Sequence, residues 1–208
     1  MYMPSTMWTT LLDYRRDPER VKDLLVRRYQ EPVYEFSRRQ GLSHEDAEDA
    51  AQEVFIQVCR EKFLRKAETI RGKFRTVLLA VTKHVIGTFR RHERAGKRDR
   101  RREVPLGDFD VPAEIEADPE FDRLWVKSLV ARALDRLKDV PSISALRLQL
   151  EGKSYHEIAA ELGKKETEVT NYLHRAKERL RGEIDRLVAE YASQEERAAE
   201  IDTLRRFL

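Results

Sequence analysis

The stretch LEGKSYHEIAAELGKKETEVTNYLHRAKERLR, Leu150 to Arg181, decides the fold. Ser154 stands three residues before Glu157, the spacing at which a hydroxyl and a carboxylate satisfy two helix-opening N–H groups reciprocally. Ile158, Ala159 and Leu162 follow on one side of a short helix. Gly163 ends it, because the chain must turn left-handed there and glycine does so at no steric cost. A second helix carries Val169, Leu173, Ala176 and Leu180 at helical spacing. Two short amphipathic helices joined by a glycine turn make a helix-turn-helix, whose second helix fits a major groove. Its outward residues are Thr167, Thr170, Asn171, His174, Arg175 and Lys177, donors and acceptors suited to phosphates and base edges. The same pattern also suits an αα-hairpin that packs only on protein.

The rest of the 208 residues is helical in pattern, with no strand alternation bounded by hairpin turns. The expected fold is all-α: two small helical domains joined by a flexible acidic linker, the second containing the helix-turn-helix. Residues 9–102 form the first domain. Within it Ser43 and Asp46 resemble a capping box, and Ala47, Ala50, Ala51, Val54, Phe55 and Val58 mark one helix face. Glu45, Asp46, Glu48, Asp49, Gln52 and Glu53 occupy the opposite face as an acidic strip. A further amphipathic helix runs from about Phe74 through Val77, Leu78, Val81, Val85 and Phe89 into a group of arginines, with the two aromatics read as core. Residues 103–121 hold Pro105, Pro112, Pro119 and Gly107 with seven acids, a composition that buries too little surface to offset ordering entropy. Residues 122–185 form the second domain, with Trp125, Leu129, Ala133 and Leu137 as part of its core. Residues 186–208 carry Leu187, Tyr191, Ala198, Ile201, Leu204 and Leu208 near helical spacing, which predicts a helical extension. Two readings of that extension stand: packing on its own domain, or a regulatory, partner-binding helix.

The net charge of +3 conceals a strong asymmetry. Lys83 to Arg102 holds nine Lys or Arg against two acids, whereas Glu103 to Asp122 holds eight acids and no Lys or Arg. A cationic block of this density can neutralise several phosphates and release their counterions. A charged helix end running into a disordered linker is the plainer reading of the same charges.

Other classes of function find no support. One cysteine, Cys59, excludes a disulfide framework and fits a reducing cytoplasm. No apolar run is long enough to span a bilayer, and the first residues lack the marks of a signal peptide. The five histidines show no metal-ligand pairing with Cys59, no glycine-rich phosphate loop occurs, and the acidic pairs lie on a helix surface rather than in a cleft. The expectation is therefore no catalytic residues, no metal and no cofactor.

Two segments resemble the extracytoplasmic-function sigma factors of bacterial RNA polymerase. DAEDAAQEVFIQVCR, Asp46 to Arg60, resembles their region 2; LEGKSYHEIAAELG, Leu150 to Gly163, followed by YLHRAKERLR, Tyr172 to Arg181, resembles their region 4. The resemblance spans roughly residues 10–100 and 122–185, in that order. It implies an alternative sigma factor that directs core polymerase to specific promoters and assists their melting. By carry-over, Asp46, Asp49, Gln52 and Glu53 would meet a basic coiled coil of the largest polymerase subunit. Arg71, Lys73, Arg75, Lys83, His84, Arg90 and Arg91 would handle the minus-ten element as single strand. Lys164, Lys165, Thr167, Thr170, Asn171, His174, Arg175 and Lys177 would read the minus-thirty-five element as duplex. An anti-sigma factor or other regulator is a further implied partner.

The chain departs from the family pattern in two places. Val77, His84 and Thr88 stand at or near positions where many relatives carry Trp, Asn and Asp. Lys164 and Lys165 stand where relatives place an apolar residue and a Ser N-cap; Thr167 could cap a helix started two residues later, and the two lysines raise phosphate affinity instead. A stand-alone helix-turn-helix regulator that binds duplex without polymerase is the alternative, and a helical adaptor that binds only protein is a third reading.

Overall fold

The computed structural model describes residues 11, 13–67, 74–94, 116–137, 140–190, 192 and 194–205. A 3-10 turn at Asp13–Arg15 leads into α1 (Pro18–Arg39), α2 (His44–Val58), α3 (Glu61–Ala67) and α4 (Phe74–Arg94). Then follow α5 (Pro119–Arg136), α6 (Pro141–Leu150), α7 (Tyr155–Leu162), α8 (Glu166–Ala189) and α9 (Gln194–Arg205). The described residues contain no strand.

Local chemistry sets most helix starts. The Asp17 carboxylate accepts from the Arg20 N–H at 3.2 Å, Ser43 Oγ from the Asp46 N–H at 3.1 Å, and Asp118 from the Glu120 N–H at 3.0 Å. Such a cap contributes typically ~1 kcal/mol over alanine. Pro18, Pro119 and Pro141 sit in the first turns of α1, α5 and α6, where a missing N–H removes no intrahelical bond. The box expected at Ser154 is complete: its hydroxyl accepts from the Glu157 N–H at 3.3 Å, and its own N–H donates to the Glu157 carboxylate at 2.7 Å. Gly163 closes α7 at φ 63° and ψ 38°, the left-handed conformation its position predicts.

Apolar burial gathers into two cores. The smaller holds Ile143, Leu146, Ile158, Ala159, Val169, Leu173 and Ala176, and so joins α6, α7 and the first half of α8. The larger gathers the inner faces of α1, α2 and α4, including Val33, Phe36, Val54, Leu78 and Val85. Each such side chain, when fully buried, contributes roughly 1.5–3 kcal/mol through removal from water.

The larger core also recruits segments expected elsewhere. Trp125, Leu129 and Ala133 of α5 belong to it, not to the core of the helix-turn-helix. Phe121 meets Phe36 edge-on, with ring centroids 5.5 Å apart, and this pair seats α5 on α1. Of the expected stripe only Leu137 packs against the smaller core. The reason is that α5 begins at Pro119, capped by Asp118, so the end of the expected linker is helical and brings an aromatic face onto α1. Residues 95–115, most of that linker, lie outside the described residues.

The C-terminal extension behaves similarly. The α8 helix runs unbroken through the helix-turn-helix to Ala189, and its Ile184, Leu187 and Val188 enter the larger core. A break after Glu190 separates it from α9, whose Leu204 is buried in the same core. The extension is thus two segments rather than one long helix: the end of α8 packs on α5 and α9 packs on α8, while the shared larger core and the pairs Arg75–Glu200 and Arg28–Glu190 join them to the first domain as well. Tyr191 and Leu208 lie outside the described residues.

Candidate nucleic-acid interface

The α2 strip forms as its spacing predicts, because burial of Ala47, Ala50, Ala51, Val54 and Val58 turns the other face outward. Asp46, Asp49 and Gln52 are exposed, and Glu53 is half-buried. Asp46 accepts from the Ser43 hydroxyl at 2.6 Å, while Glu53 accepts from Gln57 at 3.0 Å and lies 3.5 Å from Arg60. Sequence reasoning missed Ile56, which is 52% exposed. It follows Asp49, Gln52 and Glu53 at i+7, i+4 and i+3, so an apolar side chain sits inside the acidic strip. The signal was present in its register: Ile56 falls off the buried stripe. A single exposed aliphatic is ordinary on a protein surface, so Ile56 adds apolar area to the strip without by itself marking an interface.

The cationic set on α4 divides. Arg71 and Lys73 lie outside the described residues. Lys83 is exposed, its ammonium 2.9 Å from an Asp118 oxygen. Arg91 is exposed and donates to Thr88 Oγ1 at 2.8 Å. Arg90 is half-buried and donates to the Gln40 carbonyl at the end of α1. His84 is half-buried, and burial followed by the nearby Arg91 charge holds its imidazole below its ordinary value. It therefore offers a neutral ring at neutral pH rather than a cation. His84, Thr88 and Arg91 recur at i, i+4 and i+7, so they share one side of the helix. Phe74 is buried against Tyr29 at 5.4 Å between centroids, and Phe89 packs against the core, so both aromatics serve packing.

Arg75 requires a correction. Expected on a surface open to nucleic acid, it is 3% exposed. Its Nε donates to Asp122 Oδ1 at 2.6 Å, its Nη1 donates to Glu200, and its guanidinium lies 4.0 Å from the Trp125 ring centroid. Two acids and an aromatic face from α5 and α9 enclose it. Burial alone pushes the guanidinium value down; Glu200 and Asp122 more than reverse this, so the arginine stays charged. No local pattern around residue 75 signals these partners, which lie 47 and 125 positions away.

The helix-turn-helix presents its expected face intact. Lys164, Lys165, Thr167, Thr170, Asn171, His174, Arg175 and Lys177 are all exposed. Val169, Leu173 and Ala176 are buried on the other side of α8. His156 of α7 lies 3.0 Å from the Glu166 carboxylate that opens α8, a polar tie across the turn. The helix begins at Glu166 with Lys165 as its cap, not two residues later at Thr167. The Glu168 carboxylate accepts from the Lys165 N–H at 3.1 Å, which supplies half of a capping box. A lysine side chain has no acceptor, so the other half is missing.

Among the described residues no cluster of His, Cys, Asp and Glu can hold a metal ion, and no helix is long and apolar enough to cross a membrane. Cys59 is a buried free thiol, pushed up to about 11 by burial despite the opposing influence of Lys22 and Tyr14. It stays protonated at neutral pH and is a poor nucleophile.

The surfaces therefore comprise an acidic helix with one apolar residue, a cationic helix beside it, and a helix-turn-helix on a second core. Comparison with known families agrees with that order. Residues 25–96 match Sigma-70 region 2, and residues 144–180 match Sigma-70, region 4. The chain belongs to the sigma-70 family. It is 32% identical over 164 residues to the ECF RNA polymerase sigma factor SigE of Mycolicibacterium smegmatis, a match covering 76% of this chain. The chain spans 60% of the length of that relative.

Proposed function

We propose that this protein is an alternative sigma factor that carries core RNA polymerase to specific promoters and assists their melting. The observation that supports it best is the pairing, in one chain, of a region 2 acidic helix face with a fully exposed region 4 recognition face. The reading places the protein in the cytoplasm, where the polymerase works, with no chemistry of its own.

The α2 face docks on a basic surface of the polymerase. Asp49, Gln52 and Glu53 steer and orient that encounter, and Ile56 adds apolar contact at its centre. Lys83, His84 and Arg91 on α4, together with Arg71 and Lys73, engage the minus-ten element as single strand, where cations track the backbone and bases unstack. On α8, Thr170, Asn171, His174 and Arg175 read base edges of the minus-thirty-five duplex, while Lys164 and Lys165 hold phosphates. An anti-sigma protein is a natural further partner, since covering either face would silence the factor.

The test is reconstitution with core polymerase on supercoiled promoter DNA, scored for core association and for specific initiation. Charge reversal at Asp49 and Glu53 weakens core association. Arg175→Ala leaves association intact and impairs promoter selection. A wild-type protein that footprints duplex unaided and ignores core polymerase would instead be a stand-alone regulator.

A further inference from the structure

Glycine is the poorest interior residue of a helix after proline, because ordering its backbone loses the most entropy. α4 carries one at Gly87, in its middle, half-buried and without positive φ. Packing does not require it. A Cβ added at Gly87 would meet nothing among the described residues nearer than Arg91 Nη1, at 3.8 Å, which is ordinary contact.

The residues around Gly87 supply a reason. On a helix surface the neighbours of residue i are i±3 and i±4, with Cβ atoms about 5–6 Å apart. For Gly87 these are Lys83, His84, Arg90 and Arg91, and all four are basic types. Arg91 already leans toward the bare position, its guanidinium held by the 2.8 Å bond to Thr88 Oγ1. Lys83 reaches Asp118 through a largely exposed ion pair, a kind that exchanges readily. Arg90 uses Nη2 for the Gln40 carbonyl and has further N–H groups on Nε and Nη1. His84 completes the ring as a polar neighbour.

Gly182 of α8 provides the contrast. It too is inside a helix, it is exposed, and a Cβ there would meet nothing within 4 Å. Its four neighbours are Glu178, Arg179, Asp185 and Arg186, two acids against two bases. Of the two glycines, only that of α4 stands in a ring of basic side chains.

We propose that Gly87 is the floor of a phosphate seat on α4, where one backbone phosphodiester of the promoter strand lies directly on the helix between Lys83, Arg90 and Arg91. The proposal deepens the sigma-factor reading and rests on it. A phosphate oxygen can touch the helix surface at bare glycine. A methyl group would hold it further out by about 1.5 Å, the length of one C–C bond. Charge-assisted bonds from guanidinium and ammonium groups to an oxyanion span about 2.7–2.9 Å, so a displacement of that size breaks them. Glycine is therefore the residue that lets three cations of one helix close on a single anion.

The test sets Gly87→Ala beside Gly182→Ala in the full chain. Alanine is the better helix former at both sites, so each variant should melt about 2–4 °C above the wild type. A Gly87→Ala chain that melts below the wild type overturns the seat, since the glycine would then serve packing. Both variants are next reconstituted with core polymerase. Their probe is a promoter fork, single-stranded on the non-template side through the minus-ten element, cut from a fragment on which the wild-type holoenzyme initiates. Gly87→Ala should bind it about tenfold more weakly, with a log–log salt slope lower by about 0.7, one phosphate contact on a single strand. Gly182→Ala should match the wild type in both respects.

Phosphodiesters of the single strand are then replaced one at a time by uncharged methylphosphonates. At one position the loss suffered by the wild type should be absent from Gly87→Ala, because that contact is already gone. Unchanged probe binding by Gly87→Ala overturns the proposal, as do methylphosphonate losses that add fully to it at every position. A wild-type chain that never associates with core polymerase would instead be the failure of the sigma-factor reading.

Discussion

Arg75→Met offers the sharpest energetic test of how the two bodies are joined. The substitution removes the charge while a flexible stem of comparable reach continues to fill the space beside Trp125. It leaves Asp122 and Glu200 facing each other, with side chains 21% and 11% exposed. Breaking a buried ion pair from one side costs about 3–5 kcal/mol, because the surviving charge has lost its partner. Partial solvent access to Asp122 argues for the lower end, about 3 kcal/mol. For a chain of this length roughly 2–4 °C accompanies each kcal/mol, so the midpoint should fall by about 6–12 °C. The companion variant Arg75→Met, Asp122→Asn, Glu200→Gln removes every charge together. Replacing a whole buried ionic group costs far less than breaking it, so most of the lost stability should return. Urea unfolding followed by circular dichroism measures both. If Arg75→Met unfolds like the wild type, the network contributes nothing. If the triple variant is as damaged as the single one, packing rather than charge explains the loss.

Three further outcomes follow from local geometry. Gly163→Ala should destabilise by about 1–2 kcal/mol, the cost of a Cβ in left-handed backbone; a Cβ there would meet nothing within 4 Å, so backbone strain is the whole penalty, and Gly163→Asn should cost less in the same thermal melt. Lys165→Ser supplies the missing cap acceptor and should stabilise α8 by ~1 kcal/mol, while the loss of one cation lowers the salt slope of duplex binding by about 0.9. Burial pushes the Asp118 carboxyl up, but the Lys83 ammonium and the N–H groups of Glu120 and Phe121 together hold it below its ordinary value. A depressed value in the folded state means stability that is present above the unfolded-state value, near ~4, and lost as pH falls through the folded one. Asp118→Asn should therefore flatten the acid limb of a plot of melting temperature against pH, and an unaltered limb would remove Asp118 from the account.

The helix-turn-helix was legible because everything that specifies it is local. Ser154, Glu157 and Gly163 act within four residues of their partners, and a 3.6-residue period then assigns Val169 inward and Asn171 outward without reference to the rest of the chain. The acidic strip on α2 was legible for the same reason. Ile56 sits in the exposed register of that helix, where neither charge nor membership of the buried stripe marks it. The start of α8 turned on a finer balance: Glu168 could reach the Lys165 N–H, and that bond fixed the first turn at Glu166 even though Thr167 is the better capping residue by type.

What stayed hidden was the joining of the two bodies, and the reason is physical. The periodicity of α5 says that Phe121, Trp125 and Leu129 face something apolar, but both cores of the protein satisfy that demand equally. Aromatic burial and charge make the choice together. Asp118, Glu120 and Asp122 are spaced to meet Lys83, Arg39 and Arg75, and these pairings hold α5 on α1 and α4 where Phe121 can meet Phe36. Read along the chain, the acids belong to a segment with too little apolar surface to offset ordering entropy. In the fold Asp118, Glu120 and Asp122 meet cations 35 to 81 residues away, on α1 and α4. Electrostatic attraction at long sequence separation leaves no periodic trace, so only the block of positive charge followed by the block of negative charge hinted at it.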